Sequence, residues 1–175
     1  MLRGSDGEHL KAAAASAGGT GAPPDPSSPN LAPSELTREY SGEGIRVQWY
    51  ASRCIHSADC IRALPRVFRP NRRPWIELEG AHADAVADAV LRCPTGALHF
   101  VRTDGGAEEV PPDGVVIHTI RNGPYLVRGE MEIRDESGAL IRHDTRLALC
   151  RCGESRHMPF CDNTHSASGF REPGG

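Results

Sequence analysis

The sequence has 175 residues, 38% hydrophobic and only 5% aromatic, which suffices for one ordinary domain or two small ones with thin aliphatic cores. Its formal net charge of −3, with acidic and basic residues interspersed, excludes the concentrated basic face of a nucleic-acid-binding protein. No apolar run approaches the roughly 18 residues of a membrane span, and the N-terminus lacks the apolar region of a secretory signal. We therefore expect a cytoplasmic protein, whose six cysteines favour metal ligation or catalysis over disulfides.

The first half of the chain predicts a tail followed by a small α+β unit. Residues 1–36 are rich in Ala, Gly, Pro and Ser without apolar periodicity, so we expect a disordered tail. Residues 45–50 alternate at period two and predict a strand. Residues 58–64 predict a short helix that Pro65 ends, and residues 75–78 predict a brief strand.

A second helix and a return strand complete this unit. Val86, Ala89, Val90 and Cys93 share one face of a helix predicted over residues 84–92. Residues 97–101 then predict a strand, which gives a compact unit over residues 40–104. Residues 105–114 contain Pro and Gly and indicate a linker, in which Glu108 and Glu109 are interpreted as solvated charges.

The remaining residues, 115–172, predict a β-rich domain. Tight turns are expected at Asn122-Gly123 and Ser137-Gly138. The predicted strands are residues 115–120, 125–127, 131–134 and 140–143. The chain then ends in a cysteine-dense loop over residues 149–165.

This loop contains a metal-ligand pattern, C-x-C-x8-C-x3-H, formed by Cys150, Cys152, Cys161 and His165. Three thiolates and one imidazole suit a tetrahedral site for zinc or for iron in a cluster. The two cysteines of a C-x-C pair project from a nearly extended segment. They can ligate one iron of a [2Fe–2S] cluster while the Cys/His pair ligates the other iron.

The loop resembles the CDGSH iron–sulfur family, whose pattern is C-x-C-x2-[ST]-x3-P-x-C-D-G-x-H. The matching residues are Cys150, Cys152, Ser155, Pro159, Cys161, Asp162 and His165. The resemblance implies that the three cysteines and His165 ligate a [2Fe–2S] cluster, that Ser155 and Asp162 hold the loop, and that Pro159 fixes the backbone before Cys161. Asn163 replaces the family's Gly, and Asn tolerates the left-handed backbone that this position needs.

A second cysteine set lies in the α+β unit. Ferredoxins use C-x2-C-x2-C followed far downstream by Cys-Pro. In this chain Cys54, Cys60 and Cys93-Pro94 stand at the matching places, and Ser57 stands where the middle cysteine would be. Residues 54–98 resemble the divergent single-cluster 4Fe–4S ferredoxin family, which shares Cys-x-His at 54–56 and Cys-Pro-Thr-Gly-Ala-Leu at 93–98. The resemblance implies three cysteine ligands. The fourth iron is absent, leaving [3Fe–4S], or is held in [4Fe–4S] by Ser57, His56 or an exogenous ligand.

The expected fold is therefore α+β, a small ferredoxin-like α+β unit followed by a small β-rich CDGSH domain. Both expected centres carry out one-electron chemistry, and no phosphate loop, Ser-His-Asp set or metal-hydrolase pattern occurs. The sequence favours a non-catalytic electron-transfer or redox-sensing protein with a redox partner protein that it does not name, and leaves the oligomeric state open. Cluster delivery and a zinc-bound interaction domain are the alternatives.

Overall fold

The structure, a computed structural model, describes residues 36–172, so the predicted disordered tail lies outside the described residues except for residue 36. Two three-stranded antiparallel sheets with three short helices confirm the expected α+β class and the β-rich second half. We call residues 36–104 the N-terminal unit, residues 105–114 the connector and residues 115–172 the C-terminal unit.

The first sheet lies in the N-terminal unit with the strand order β1-β2-β3. Its strands are β1 (Arg38–Gly42), β2 (Ile45–Trp49) and β3 (Leu98–Arg102). The register places Tyr40 opposite Val47 and Val47 opposite Phe100, and all three side chains are buried. The period-two alternation of β2 therefore faces a core, which confirms the strands predicted around residues 45–50 and 97–101.

Two helices cover this core. α1 (Asp59–Ala63) is a single short turn, and α2 (Ala83–Leu91) buries Val86, Ala89 and Val90 on one face. Both confirm the predicted helices. The apolar spacing of α2 is the spacing that packs against the sheet, whereas α1 has no fully buried residue and contacts α2.

The strand predicted over residues 75–78 is wrong. The structure has a single isolated bridge there, between Phe68 and Ile76. Pro70 and Pro74 lie on the two sides of the intervening turn and supply no backbone N–H, so a regular ladder cannot extend along it.

The second sheet forms the C-terminal unit with the strand order β4-β5-β6. Its strands are β4 (Val116–Thr119), β5 (Tyr125–Arg134) and β6 (Leu140–Leu149). The predicted turns are confirmed, with Asn122 at φ 52° and Gly138 at φ 84°. The two predicted runs at 125–127 and 131–134 are one strand, since the residues between them form a bulge at Gly129, whose φ is 133°.

β6 continues six residues beyond the predicted end at residue 143, and these residues carry the contact between the units. Arg146 is buried and donates through Nη1 to the carbonyl oxygens of Val90 (2.7 Å) and Cys93 (2.8 Å), and through Nη2 to that of Leu98 (2.8 Å). Its Nε and Nη2 also donate to the two carboxylate oxygens of Glu109 at 2.8 and 2.9 Å. One guanidinium thus joins both units and the connector.

Glu109 is therefore not the solvated linker charge that the sequence suggested. Its side chain is only 13% exposed, and the Thr145 hydroxyl donates to it at 2.5 Å. His99, which is buried, lies 3.4 Å from Glu109 and 3.3 Å from Asp144. Asp144 in turn pairs with the buried Arg53 at 3.1 Å. Each buried charge in this network has an opposite partner, as burial of an ion requires.

Gly96 allows the two units to approach this closely. Its φ is +64°, and a Cβ there would lie 2.6 Å from Asp144 Oδ2 and 2.7 Å from the carbonyl oxygen of Arg146. A side chain at this position would meet both a left-handed backbone and the opposite unit.

We expect Glu109→Gln to lower the free energy of unfolding by about 3 kcal/mol, because it leaves Arg146 buried without its counter-charge. Burial opposes ionisation, but the His99 hydrogen bond and the Arg146 charge lower the pKa of Glu109 from 4.5 to about 2. The carboxylate therefore contributes fully above about pH 4.5 and loses its contribution as the pH falls towards 2. Urea unfolding should show the same deficit at pH 7 and pH 5. The exposed neighbour Glu108 is the control, and an equal loss in Glu108→Gln would contradict the assignment.

Gly96→Ala should destabilise the protein by about 2 kcal/mol more than Gly80→Ala, because overpacking adds to backbone strain only at Gly96. Gly80 has a similar φ of +69° with no atom within 4 Å of a built Cβ, so it reports the strain alone. Urea unfolding of both variants measures the difference. Equal losses would mean that the contact between the units tolerates the methyl group.

Candidate metal centres

The C-terminal cysteine loop folds back on the end of β6. The Cys150 N–H donates to the Pro159 carbonyl oxygen and the Cys161 N–H donates to that of Ala148, both at 2.8 Å. Leu149 and Phe160 form an isolated bridge between these two bonds. The pairing sets Cys161 beside the strand that carries Cys150.

The four predicted ligands of this loop lie as two close pairs. Cys150 Sγ is 3.6 Å from Cys152 Sγ, and Cys161 Sγ is 3.4 Å from His165 Nδ1. With metal–sulfur bonds near 2.3 Å and metal–nitrogen bonds near 2.0 Å, two ligands of one tetrahedral metal lie about 3.5–3.8 Å apart. Each pair therefore has the spacing of two ligands on one tetrahedral metal, and thiolate and imidazole donors suit iron or zinc.

Backbone N–H groups and two side chains fix the loop. The N–H groups of Glu154 and Asn163 donate to the sulfurs of Cys152 and Cys161, each at 3.4 Å. Asn163 has φ 72°, the left-handed conformation expected of it in place of glycine. The Ser155 hydroxyl donates to the Phe160 carbonyl oxygen at 2.6 Å.

Asp162 fastens two parts of the loop with its carboxylate. Its oxygens accept from the N–H groups of Thr164 (2.9 Å) and Arg156 (3.1 Å). Hydrogen bonding from Thr164 and Arg156 holds the pKa of Asp162 well below its usual range, so it stays ionised. Thr164 begins α3 (Thr164–Ser168), which the sequence interpretation treated as loop and which positions His165.

Arg151 lies between the two C-x-C cysteines and has partners that the sequence did not indicate. Arg151 pairs with Glu172 at 2.6 Å and lies against the rings of Tyr125 and Phe170 at 5.5 and 5.4 Å. The end of the described chain therefore packs on the ligand segment. Sequence spacing could not indicate this, because the partners come from two segments, one of them about 25 residues before Arg151 in the chain.

The three cysteines predicted for the central site converge from different elements. Cys54 follows a 3-10 turn (Ala51–Arg53), Cys60 lies in α1, and Cys93 follows α2. Burial, together with charge repulsion from the nearby Cys93 and Cys54, raises the pKa of Cys60 to about 11. Thiols that disfavour one another's ionisation are a donor set that cationic iron stabilises, with release of their protons.

His56 and Ser57 lie in the loop between the first two of these cysteines. His56 Nδ1 is 3.9 Å from Cys54 Sγ, and both His56 and Ala58 have a left-handed backbone, with φ 58° and 62°. Ser57 accepts through its carbonyl oxygen from Arg62 Nη2 at 2.8 Å. The Cys93 sulfur lies 3.7 Å from the Thr95 hydroxyl. The loop therefore places the His56 imidazole beside a predicted ligand sulfur, whereas Arg62 holds Ser57 through its backbone carbonyl.

A cavity of about 230 Å³ lies between the units. Its lining includes Arg53 and Thr95 from the N-terminal unit, and Arg142, Phe160 and Cys161 from the C-terminal unit. Cys161 is a predicted ligand of one site, and Thr95 contacts a predicted ligand of the other. The C-terminal site thus borders this cavity directly, and the central site reaches it through Thr95.

Within residues 36–172, no three His, Cys, Asp or Glu side chains are grouped as the ligands of one shared metal ion. None of the helices in that range has the length and apolar character needed to span a lipid bilayer.

Comparison with known proteins gives two family matches and two relatives. Residues 40–103 match the family described as a divergent 4Fe-4S mono-cluster, and residues 122–166 match the CDGSH-type iron-binding zinc finger. The chain is also similar to proteins named Uncharacterized protein YjdI from Escherichia coli K12 and from Escherichia coli O157:H7. Each is 35% identical over 63 residues, which are 36% of this chain and 83% of the relative.

In the metal-free chain, Cys150 should react with iodoacetamide about tenfold faster than Cys60 at neutral pH, because alkylation follows the thiolate fraction. Although burial opposes it, the N–H groups of Ser155 and Gly153 lower the pKa of Cys150, whereas that of Cys60 is raised to about 11. Mass spectrometry of the labelled peptides measures both rates. Labelling in urea is the control, where the rates should converge, and equal rates in the folded chain would contradict the prediction.

Proposed function

The chain belongs to the divergent 4Fe-4S mono-cluster family through residues 40–103 and to the CDGSH-type iron-binding family through residues 122–166, and on that premise we propose that it relays single electrons between two iron–sulfur centres. Such families are typical of electron carriers and regulators. The proposal assigns a [2Fe–2S] cluster to the C-terminal site and a [3Fe–4S] or [4Fe–4S] cluster to the central site.

The observation that carries the relay is the shared cavity. It is lined by Cys161 and by Thr95, whose hydroxyl lies 3.7 Å from Cys93 Sγ, so the C-terminal site borders the cavity and the central site reaches it through Thr95. The bound clusters supply one-electron oxidation and reduction at iron. The chain holds the two sites at a fixed separation through Arg146, which binds the Cys93 carbonyl oxygen from the strand that ends beside Cys150.

The ligand pairs support a [2Fe–2S] cluster in the C-terminal site. Their spacings of 3.6 and 3.4 Å each fit one tetrahedral metal, with two sulfurs on one side and a sulfur and an imidazole nitrogen on the other. Replacing a thiolate by imidazole removes negative charge and raises the reduction potential, as in Rieske centres. We therefore assign the higher potential to the C-terminal site, so electrons run to it from the central site.

Iron and acid-labile sulfide analysis with EPR, on protein purified without oxygen, tests the proposal. We expect about five or six iron atoms per chain and two distinguishable signals. A colourless protein that holds only zinc would replace the proposal by the zinc-bound interaction domain. Irons that are present but cannot be reduced or oxidised would leave the chain an iron–sulfur protein without an electron-relay role.

His165→Cys should lower the potential of the C-terminal site and abolish acid-promoted loss of its iron. The wild-type chain should lose this iron faster at pH 6 than at pH 8, because a proton taken up at His165 Nδ1 competes with the metal. Visible absorbance after a pH jump measures the loss. His157→Cys, in the same loop, is the control and should keep the wild-type pH dependence.

If His165→Cys leaves the pH dependence unchanged, His165 is not the acid-labile ligand. The same variant separates cluster delivery from electron relay. Transfer of iron and sulfide from the wild-type chain to an apo-ferredoxin that is fast at pH 6 and lost in His165→Cys would favour delivery. A wild-type chain that keeps its irons in the presence of the acceptor would favour the relay.

A further inference from the structure

A segment rich in arginine lies beside the central site, and none of its residues is a proposed ligand. Residues 61–76 contain five arginines and no carboxylate, although the whole chain has a net charge of −3. These arginines, which we call the arginine surface, are Arg62, Arg66, Arg69, Arg72 and Arg73. The excess positive charge is therefore local and opposite in sign to that of the chain.

Only two of the five arginines are neutralised by neighbouring carboxylates. Arg62 pairs with Asp59 at 2.6 Å and Arg69 pairs with Glu77 at 2.9 Å. The other three are exposed, and within the described residues no carboxylate lies at ion-pairing distance from any of them: Arg66, Arg72 and Arg73. They leave an uncompensated positive charge on an exposed face.

This surface adjoins the loop of the central site. Arg62 donates through Nη2 to the Ser57 carbonyl oxygen at 2.8 Å, so the surface and the ligand loop are in direct contact. The same loop exposes His56, whose Nδ1 is 3.9 Å from Cys54 Sγ. Cys54 and Cys60 are only partly buried, whereas Cys93 is buried, so the site comes nearest to solvent on the side of this loop.

The Arg72–Arg73 turn is held in place. Arg73 Nη1 donates to the carbonyl oxygens of Pro70 and Arg72 at 3.1 and 2.8 Å. The turn is anchored at its base by the bridge between Phe68 and Ile76. A turn fixed in this way presents its charges with little loss of conformational freedom on binding.

We propose that the arginine surface docks an acidic protein that exchanges single electrons with the central site, an inference that rests on the proposed function. In the step, the reduced partner loses one electron and the central site gains it, with no bond made and no group transferred. Complementary charge raises the encounter rate of such complexes by about ten- to a thousandfold at low ionic strength.

A nucleic acid is the less favoured occupant. Sequence-tolerant binding of single strands uses exposed aromatic rings as stacking platforms. The aromatic residue of this segment that is nearest to the turn, Trp75, packs instead against Trp49 and Phe68 with ring centroids 5.1 and 5.9 Å away.

The test compares two triple variants of the full cluster-loaded chain. The first variant replaces Arg66, Arg72 and Arg73 by Glu. The control variant replaces three exposed arginines outside the arginine surface by Glu: Arg38, Arg46 and Arg121. Reduced plant-type ferredoxin, an acidic one-electron carrier, serves as the probe in stopped-flow experiments at low and high ionic strength. Visible absorbance and EPR establish that both variants keep their clusters.

We expect the first variant to lower the second-order rate constant about tenfold or more at low ionic strength, with the rates converging at high ionic strength. The control should change it by less than about threefold. An equal loss in both variants, or no loss in the first, would overturn the docking surface. Failure of the reduced ferredoxin to reduce the wild-type chain would also overturn the docking surface.

Reduction by dithionite, a small reductant that needs no docking surface, separates the two proposals. If dithionite reduces all three proteins alike while the ferredoxin rates are unaffected, the docking surface is wrong and the relay stands. If dithionite reduces none of them, the relay itself fails. Tight binding of a single-stranded RNA that is lost in the first variant and kept in the control would reassign the surface to nucleic acid.

Discussion

The buried guanidinium of Arg146 is the contact on which the arrangement of both candidate centres depends. It satisfies three backbone carbonyl oxygens at the end of α2 and the start of β3, and it forms a bidentate pair with Glu109. One of those carbonyls belongs to Cys93, and the strand that carries Arg146 leads directly to Cys150. A side chain that is 2% exposed therefore fixes the distance between two ligand sets that lie far apart in the sequence.

The predicted ligands of the two centres are brought together in different ways. In the C-terminal loop the ligands are close in sequence, and local hydrogen bonds that the Asp162 carboxylate accepts and the Ser155 hydroxyl donates hold the loop that carries them. In the central site the cysteines come from a turn, the start of one helix and the end of another, so they meet only where the core of the N-terminal unit packs these elements together. The first arrangement depends on loop geometry and the second on packing.

The sequence predicted what is encoded locally. The period-two pattern of β2 and the 3.6-residue pattern of α2 mark faces that the structure buries, and fixed spacing predicted both candidate ligand sets. Glu109, Asp144 and Arg146 could not be found in this way, because isolated charges are normally solvated and only partners distant in the chain explain their burial. The strand at 75–78 failed for the converse reason, since short apolar runs predict strands even where prolines remove the ladder donors.

The Arg146 contacts also determine how freely the halves of this chain can be recombined. A chimera that joined the N-terminal unit to a different β-rich unit without this arginine would leave the carbonyls of Val90, Cys93 and Leu98 without their donor. It would also bring a residue other than Asp144 against Gly96. Any replacement for either half would therefore have to supply a donor to these carbonyl oxygens and room for Gly96, because buried polar groups left without a partner lower stability.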